Sequence, residues 1–409
     1  MPSVKVTKAL QKRSDQALES FHKYYASIWT EERWHNTLFP ALSQPTRYCA
    51  LLNQYVNSED VLRALQGSEN SSEDIADFNL PQLGATGESS TSKAALCGLM
   101  VKQKSSEKPF PTPIQIELAV TGTRLSHWNM DGASVLAAHM LQVRSTDQVL
   151  DLCAAPGGKS LVLAQTLWPS LHASRELESK QDVQNFESRL HSNESDLSRN
   201  KRLAANLQSY LPSQLIDTKA VQIIRIDGTE KSAVDELPLG KSGYDKVLVD
   251  APCSSERHII HAYLKAASSG QIAEEMANWK PSHSKTIAKT QAALLITALK
   301  SVKIGGTVVY ATCSISSEEN DDVIERTIET TRKERKRNPD STQHAWKIEF
   351  DTRFEDDESS KAILDSMTEK TKYGRIALPD HAAGGKWGPL YFCVMQKMPY
   401  KSKKTELRG

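Results

Sequence analysis

Gln148-Val-Leu-Asp-Leu-Cys-Ala-Ala-Pro-Gly-Gly-Lys-Ser160 is the stretch that decides the fold. Its apolar start reads as a buried strand over 148–153. Gly157 and Gly158 read as a tight turn, and Leu161–Leu167 reads as a helix. A strand–turn–helix with adjacent glycines lets the backbone approach a ligand, and the helix N-terminus presents free N–H groups to an anionic end. The spacing is neither the Gly-x-Gly-x-x-Gly dinucleotide fingerprint nor the phosphate-binding loop ending in Gly-Lys-[Ser/Thr]. A ligand with a small anionic end is therefore expected rather than ATP or NAD.

Working outward, strand and helix alternate. Helices are expected over 132–141, 160–167, 197–209, 284–302 and 318–332, and strands over 148–153, 189–192, 220–226, 244–250 and 306–311. This alternation predicts an α/β, doubly wound, Rossmann-like parallel sheet. The polar segment 168–187 reads as a surface insertion, and Arg332–Arg337 as a solvated helix end. Trp346–Phe350 and Leu390–Val394 are expected as edge strands. Residues 15–65 read as helical, with Leu18, Phe21, Tyr25, Ile28 and Trp29 at helical spacing and a second run through Tyr48, Leu51, Leu52 and Tyr55. The expected organisation is a helical region at 1–66, a polar mobile connection at 67–112, a large α/β domain at 113–400 and a basic tail at 401–409.

Composition bounds the partners. With 51 Lys+Arg against 50 Asp+Glu, the net charge of the 409-residue chain is +1, so no global basic field attracts nucleic acid. The six cysteines lack metal-site pairing and disulfide-scaffold density, which predicts a reducing compartment and no metal. No apolar run reaches the ~20 residues of a membrane span, and the expectation is a soluble, non-secreted chain.

Chemistry concentrates at strand ends. Cys253 follows Lys246-Val-Leu-Val-Asp250, and Cys313 follows Thr307-Val-Val-Tyr310, so both thiols are expected at the carboxyl edge of the sheet, where such folds bind ligands. Ser192-Asn-Glu194 ends the second expected strand and Ile226-Asp-Gly228 the third. Glu194 reads either as a ribose ligand or as a surface acid starting a helix, and Asp227 either as a ligand or as part of a turn. Their conjunction with the glycine turn points to a nucleoside.

Asp151-Leu-Cys-Ala-Ala-Pro-Gly-Gly-Lys159, Asp250-Ala-Pro-Cys-Ser254 and Thr312-Cys-Ser314 together resemble the Sun-domain (RsmB-like) family of S-adenosylmethionine-dependent RNA 5-methylcytosine methyltransferases, over residues 115–398. Asn129–Ser134, Ser255–His258 and Gly384–Phe392 resemble the mitochondrial members acting on small-subunit ribosomal RNA, although a sister group acting on transfer RNA shares some of these. The resemblance implies S-adenosylmethionine held by Cys153, Ala154, Ala155, Pro156, Gly157, Gly158 and Lys159 at its methionine end, by Glu194 at the ribose and by Asp227 at the adenine. Asp250 would face both cofactor and base.

The same resemblance assigns nucleophilic attack on cytosine carbon 6 to Cys313, release of the product to Cys253 and a hydrogen bond to ring nitrogen 3 to Asp250. Lys159 would favour a thiolate. Arg257, His258, His261, Lys280, Lys285 and Lys289 are candidates to line the RNA approach, with ordinary surface charge the favoured reading for most of them. No appended RNA-binding domain is recognised, so a protein partner or the assembling ribosome is expected to position the RNA. Lys5, Lys8, Lys12 and Arg13, with no acid before Asp15, fit either a mitochondrial presequence or the basic face of a helix, leaving cytosolic or nuclear residence open. A non-catalytic assembly factor on the same fold is the rival reading, and Cys49, Cys97 and Cys393 read as ordinary small apolar residues.

Overall fold

A computed structural model describes residues 8–66, 75–81, 99–104, 109–118, 122–173, 186–338 and 345–400. Five parallel strands form the centre: β1 (Gln148–Asp151), β2 (Arg189–Asn193), β3 (Val221–Ile224), β4 (Tyr244–Asp250) and β5 (Val302–Thr312). They lie in the order β3-β2-β1-β4-β5. Val149, Leu150, Val247, Leu248, Val249, Val308 and Val309 are all fully buried, as expected of strands covered on both faces. Helices Gly132–His139, Gly158–Leu167 and Leu197–Tyr210 cover one face, and Lys8–Trp29, Ser282–Ser301 and Asp321–Arg337 cover the other. The strand order reverses between β1 and β4, which opens the crevice where such sheets bind ligands.

Several expectations need correction. Leu390–Pro399 is an interior strand, antiparallel to β5 on one side and paired on the other with Arg375–Ala377 and Trp346–Phe350. Its consecutive residues Tyr391 to Met395 are buried on both faces, so it does not end the sheet. Cys49–Leu52 is a strand, not a helix, and lies between Val101–Lys104 and His127–Met130 in a small antiparallel sheet that also holds Ile75–Asp77. A four-residue apolar run fits a buried strand as well as a helix, and only pairing decides. The strands of this sheet come from both sides of the boundaries expected at residues 66 and 113.

The supposed insertion begins inside the core, since Trp168 and His172 are buried and Ala173 N–H donates to Gln54 O. Residues 174–185, most of the polar stretch 67–112, the first seven residues, Cys97 and the tail 401–409 lie outside the described residues. The basic run at 332–337 does close a helix, Asp321–Arg337. Among the described residues, no helix is long and apolar enough to cross a membrane.

The N-terminal helix is anchored by aromatic contacts. Phe21, Tyr25 and Trp34 are buried together, and Phe21 meets Trp279 edge-on with ring centroids 5.0 Å apart.

Candidate active site

The glycine turn starts where β1 ends. Ala154 N–H donates to Asn193 O at 2.8 Å, the Ala155-Pro156 peptide is cis, and Gly157 has φ 120°, in a region that favours glycine. Arg199 and Asn206, on the helix after β2, donate to Ala155 O and Pro156 O at 3.1 and 2.8 Å. The half-buried Cys153 thiol is pushed well above its ordinary range by burial and then by Asp151, so it remains neutral.

Gly158 is closely approached by the protein itself. A β-carbon there would come within 2.6 Å of Trp128 Nε1, and Trp128 is itself packed edge-on against Tyr210. The crowding is therefore with the protein's own tryptophan. Gly158→Val is expected to cost about 1–3 kcal/mol of stability through overpacking, read by urea denaturation without any ligand. An unchanged midpoint would show that Trp128 yields freely.

Asn193, unnoticed in the sequence, ties three strand ends together. Its side chain donates to Leu152 O and Ile226 O, each at 3.0 Å, and accepts from Ile226 N–H at 2.8 Å. This fixes the two acids that follow. Glu194 lies one residue beyond β2, buried, accepting from Asp196 N–H at 2.9 Å and facing Arg199 at 3.3 Å. Asp227 lies beyond β3, which ends at Ile224 rather than Ile226. It is exposed, and two bonds from Thr229 hold its carboxyl below the usual range.

Asp151 is fully buried at the end of β1 and accepts from Ser160 Oγ at 2.7 Å. Burial pushes its carboxyl up to about 7 from 3.8, against the Ser160 bond that lowers it. The folded state thus keeps a proton that the unfolded chain releases near pH 4. This contribution favours folding most at low pH and is lost as pH rises to about 7, by on the order of 4 kcal/mol. Denaturant unfolding at pH 5 and pH 7.5 should show a smaller loss in Asp151→Asn than in the native chain. Equal losses would remove Asp151 as the cause.

Across the crevice, Lys159 Nζ donates to Asp250 Oδ2 at 2.7 Å and to Ser134 Oγ at 3.3 Å. Burial opposes the charge on Lys159, yet Asp250 beside it holds the ammonium above its ordinary range. Cys253 and Cys313 are both half-buried, just past the ends of β4 and β5, and Ser255 Oγ lies 3.4 Å from Cys253 Sγ and 3.1 Å from Cys313 Sγ. The approach of Cys313, together with burial, pushes the Cys253 thiol well above its ordinary value. Two thiols, a hydroxyl and a lysine–aspartate pair thus share one edge.

A buried polar network holds the two cysteine loops. Glu256 accepts from Tyr25 OH at 2.8 Å, Ser314 Oγ at 2.9 Å and Ile315 N–H at 3.2 Å. Glu319 accepts from Ser254 N–H and Gln291 Nε2, each at 3.0 Å. Ser254 Oγ touches both carboxyls. One hydroxyl proton serves only one acceptor, so the contact with the second carboxyl calls for a further proton. Burial, and then the charge of Glu319, raise Glu256 in the same direction. Neither acid stands out in the sequence, because each falls in an ordinary helix-start pattern.

The expected RNA-facing cations divide. Arg257 is buried and donates to the carbonyls of Gln44, Pro45 and Gly388, while His261 bonds Leu42 O and Gln44 O, so both hold the N-terminal segment in place. Lys285 faces Glu318 at 3.6 Å. His258, Lys280 and Lys289 are exposed. Cys49 and Cys393 are fully buried, as their plain reading predicted. No cluster of metal-ligating side chains occurs among the described residues.

Residues 138–356, more than half of the chain, match the family described as 16S rRNA methyltransferase RsmB/F. The 5-cytosine rRNA methyltransferase nsun-4 of Caenorhabditis elegans is 32% identical over 225 residues, 54% of this chain and 41% of that protein. The chain thus spans about two fifths of that relative's length. The mitochondrial tRNA (cytosine(34)-C(5))-methyltransferase of Mus musculus is 30% identical over 70% of this chain and 68% of its own. Among solved structures, NSun6 from Pyrococcus horikoshii with SFG superposes with a TM-score of 0.55 at 16% identity, covering 94% of this chain and 98% of that one. At that identity the likeness speaks for the fold.

Proposed function

Because this chain belongs to the RsmB/F methyltransferase family, we propose that it transfers a methyl group from S-adenosylmethionine to carbon 5 of a cytidine in RNA. One observation carries the reading: two thiols past neighbouring parallel strands share a hydroxyl at 3.1 and 3.4 Å, beside the Lys159–Asp250 pair. A structural cysteine pair would have no reason to sit at the sheet's ligand edge.

The residues present fit the cofactor. The turn Cys153 to Lys159 offers backbone to a methionine end, and Glu194 and Asp227, following β2 and β3, suit ribose hydroxyls and adenine. When bound, S-adenosylmethionine supplies an electrophilic methyl. The chain's own groups supply the rest. Carbon 5 of cytosine is a weak nucleophile until a thiolate adds to carbon 6, and Cys313 takes that part. Asp250 would hold ring nitrogen 3 through one proton shared between them, which nitrogen 3 keeps as the thiolate adds to carbon 6, and Lys159 keeps Asp250 oriented. Cys253, protonated at rest, would assist elimination by passing its proton through Ser255 to the departing Cys313 while taking the proton that leaves carbon 5. The target cytidine must be unstacked to reach the thiols.

The substrate we propose is small-subunit ribosomal RNA in mitochondria. The family's description and the nematode relative's name support ribosomal RNA, and the mouse relative's name supports the compartment. A net charge of +1 supports a protein partner, or the assembling subunit, as the source of much RNA affinity. Bisulfite sequencing of organellar and cytosolic RNA from cells lacking the protein tests this. Loss of one mitochondrial ribosomal cytidine signal is expected. Loss confined to a transfer RNA would transfer the substrate to the reading that the mouse relative favours.

A further inference from the structure

Ser255 departs from what its position requires. It is the N-cap residue of Glu256–Ser268, where a serine hydroxyl normally turns back to accept from the helix's own N–H groups. Here no such bond forms. The backbone is instead held in the left-handed region, φ 53° and ψ 57°, an uncommon conformation for a residue with a β-carbon, and the hydroxyl faces both sulfurs. A stabilising cap has been given up for a contact with two thiols.

We propose that the Ser255 hydroxyl decides which thiol is the nucleophile, accepting a hydrogen bond from the Cys253 S–H and donating its own to Cys313 as the thiolate. The inference deepens the methyltransferase reading and rests on it for its biological meaning. Cys253, which the neighbouring Cys313 sulfur and burial disfavour as an anion, is suited to be the donor. A hydroxyl has one proton to give, so it stabilises one anion at a time. The other groups around the pair are Lys159, which is cationic, Asp250 paired with it, and the buried Glu256. Lys159 is engaged with Asp250, so the groups that approach Cys313 to hydrogen-bond it are the Ser255 hydroxyl, at 3.1 Å, and the Cys253 thiol itself. The same bond would receive Cys313 when it leaves carbon 6. Ser255 is thus a positioning residue, acting through the two thiols.

The test uses the full chain with iodoacetamide as the probe, without RNA or cofactor, and locates the alkylated cysteine by mass spectrometry. Cys313 should react first in the native chain. Ser255→Gly accepts the left-handed backbone while removing the hydroxyl, so it separates the bond from the strain. Its Cys313 alkylation at pH 7 should fall about tenfold, the worth of one charge-assisted hydrogen bond. The deficit should narrow to about twofold at pH 10, where hydroxide supplies the thiolate without help, and Ser255→Thr should recover part of the rate. The proposal is overturned if the glycine variant reacts at the native rate, if Cys253 reacts first in the native chain, or if the deficit is the same at both pH values. Because no methyl transfer is measured, an inactive native chain would defeat the methyltransferase reading and leave this result standing.

Discussion

Cys313→Ala is expected to reduce methyl transfer to RNA by a factor on the order of 10⁴–10⁶, the range seen when a covalent nucleophile is removed. The expectation follows from placement. Cys313 is the first residue past β5, whose buried run Val308–Ala311 pairs on both sides with β4 and Leu390–Pro399 and so fixes the strand end rigidly. Among the described residues, the other thiols at this sheet edge are Cys253 and Cys153, both of which their surroundings keep protonated. Stability should change little, because the side chain is only half-buried. Incorporation of labelled methyl into RNA reads the loss, and no protein–RNA adduct should survive denaturation. Activity within tenfold of native would reassign the nucleophile.

The opposite behaviour is expected of Cys253→Ala. Addition of Cys313 and methylation of carbon 5 can both proceed, but elimination needs a proton to leave carbon 5 while Cys313 departs from carbon 6. Cys253 takes that proton as its own S–H proton passes through the Ser255 hydroxyl to the departing Cys313, so without Cys253 the step stalls. A slow-migrating protein–RNA band should then accumulate on denaturing gels in the presence of S-adenosylmethionine, with multiple turnover reduced at least about a hundredfold, as for loss of general acid–base assistance. The double variant should show no band. A band from Cys313→Ala and none from Cys253→Ala would exchange the two roles.

The fold was legible because its strands are short apolar runs ended by turn chemistry. Tyr244–Asp250 and the glycine turn stand where their residues put them, and the strand expected over 148–153 spans Gln148–Asp151. The two cysteines could also be placed, since each follows an apolar run by at most three residues. What could not be read depends on distant pairing. Leu390–Pro399 has the same composition as an edge strand and becomes interior only because Arg375–Ala377 and Trp346–Phe350 share its outer side. Arg257 looked like a candidate RNA ligand, yet the N-terminal segment brings two carbonyls to it and Gly388 a third. The packing of Gly158 against Trp128, thirty residues earlier in sequence, has no local signature either. The Glu256–Ser254–Glu319 network was invisible, because a buried carboxyl pair has no local signature.

The central claim is that the methyl group goes to carbon 5 through a covalent adduct, and it is tested most directly with RNA carrying tritium at carbon 5 of its cytidines. Purified native chain, S-adenosylmethionine and this RNA, supplied within the small ribosomal subunit if naked RNA is too weakly bound, should release tritium to water in step with methyl incorporation, one for one. Cys313→Ala should release none. Methyl transfer without tritium release would place the methyl on another atom of the nucleotide and contradict the account.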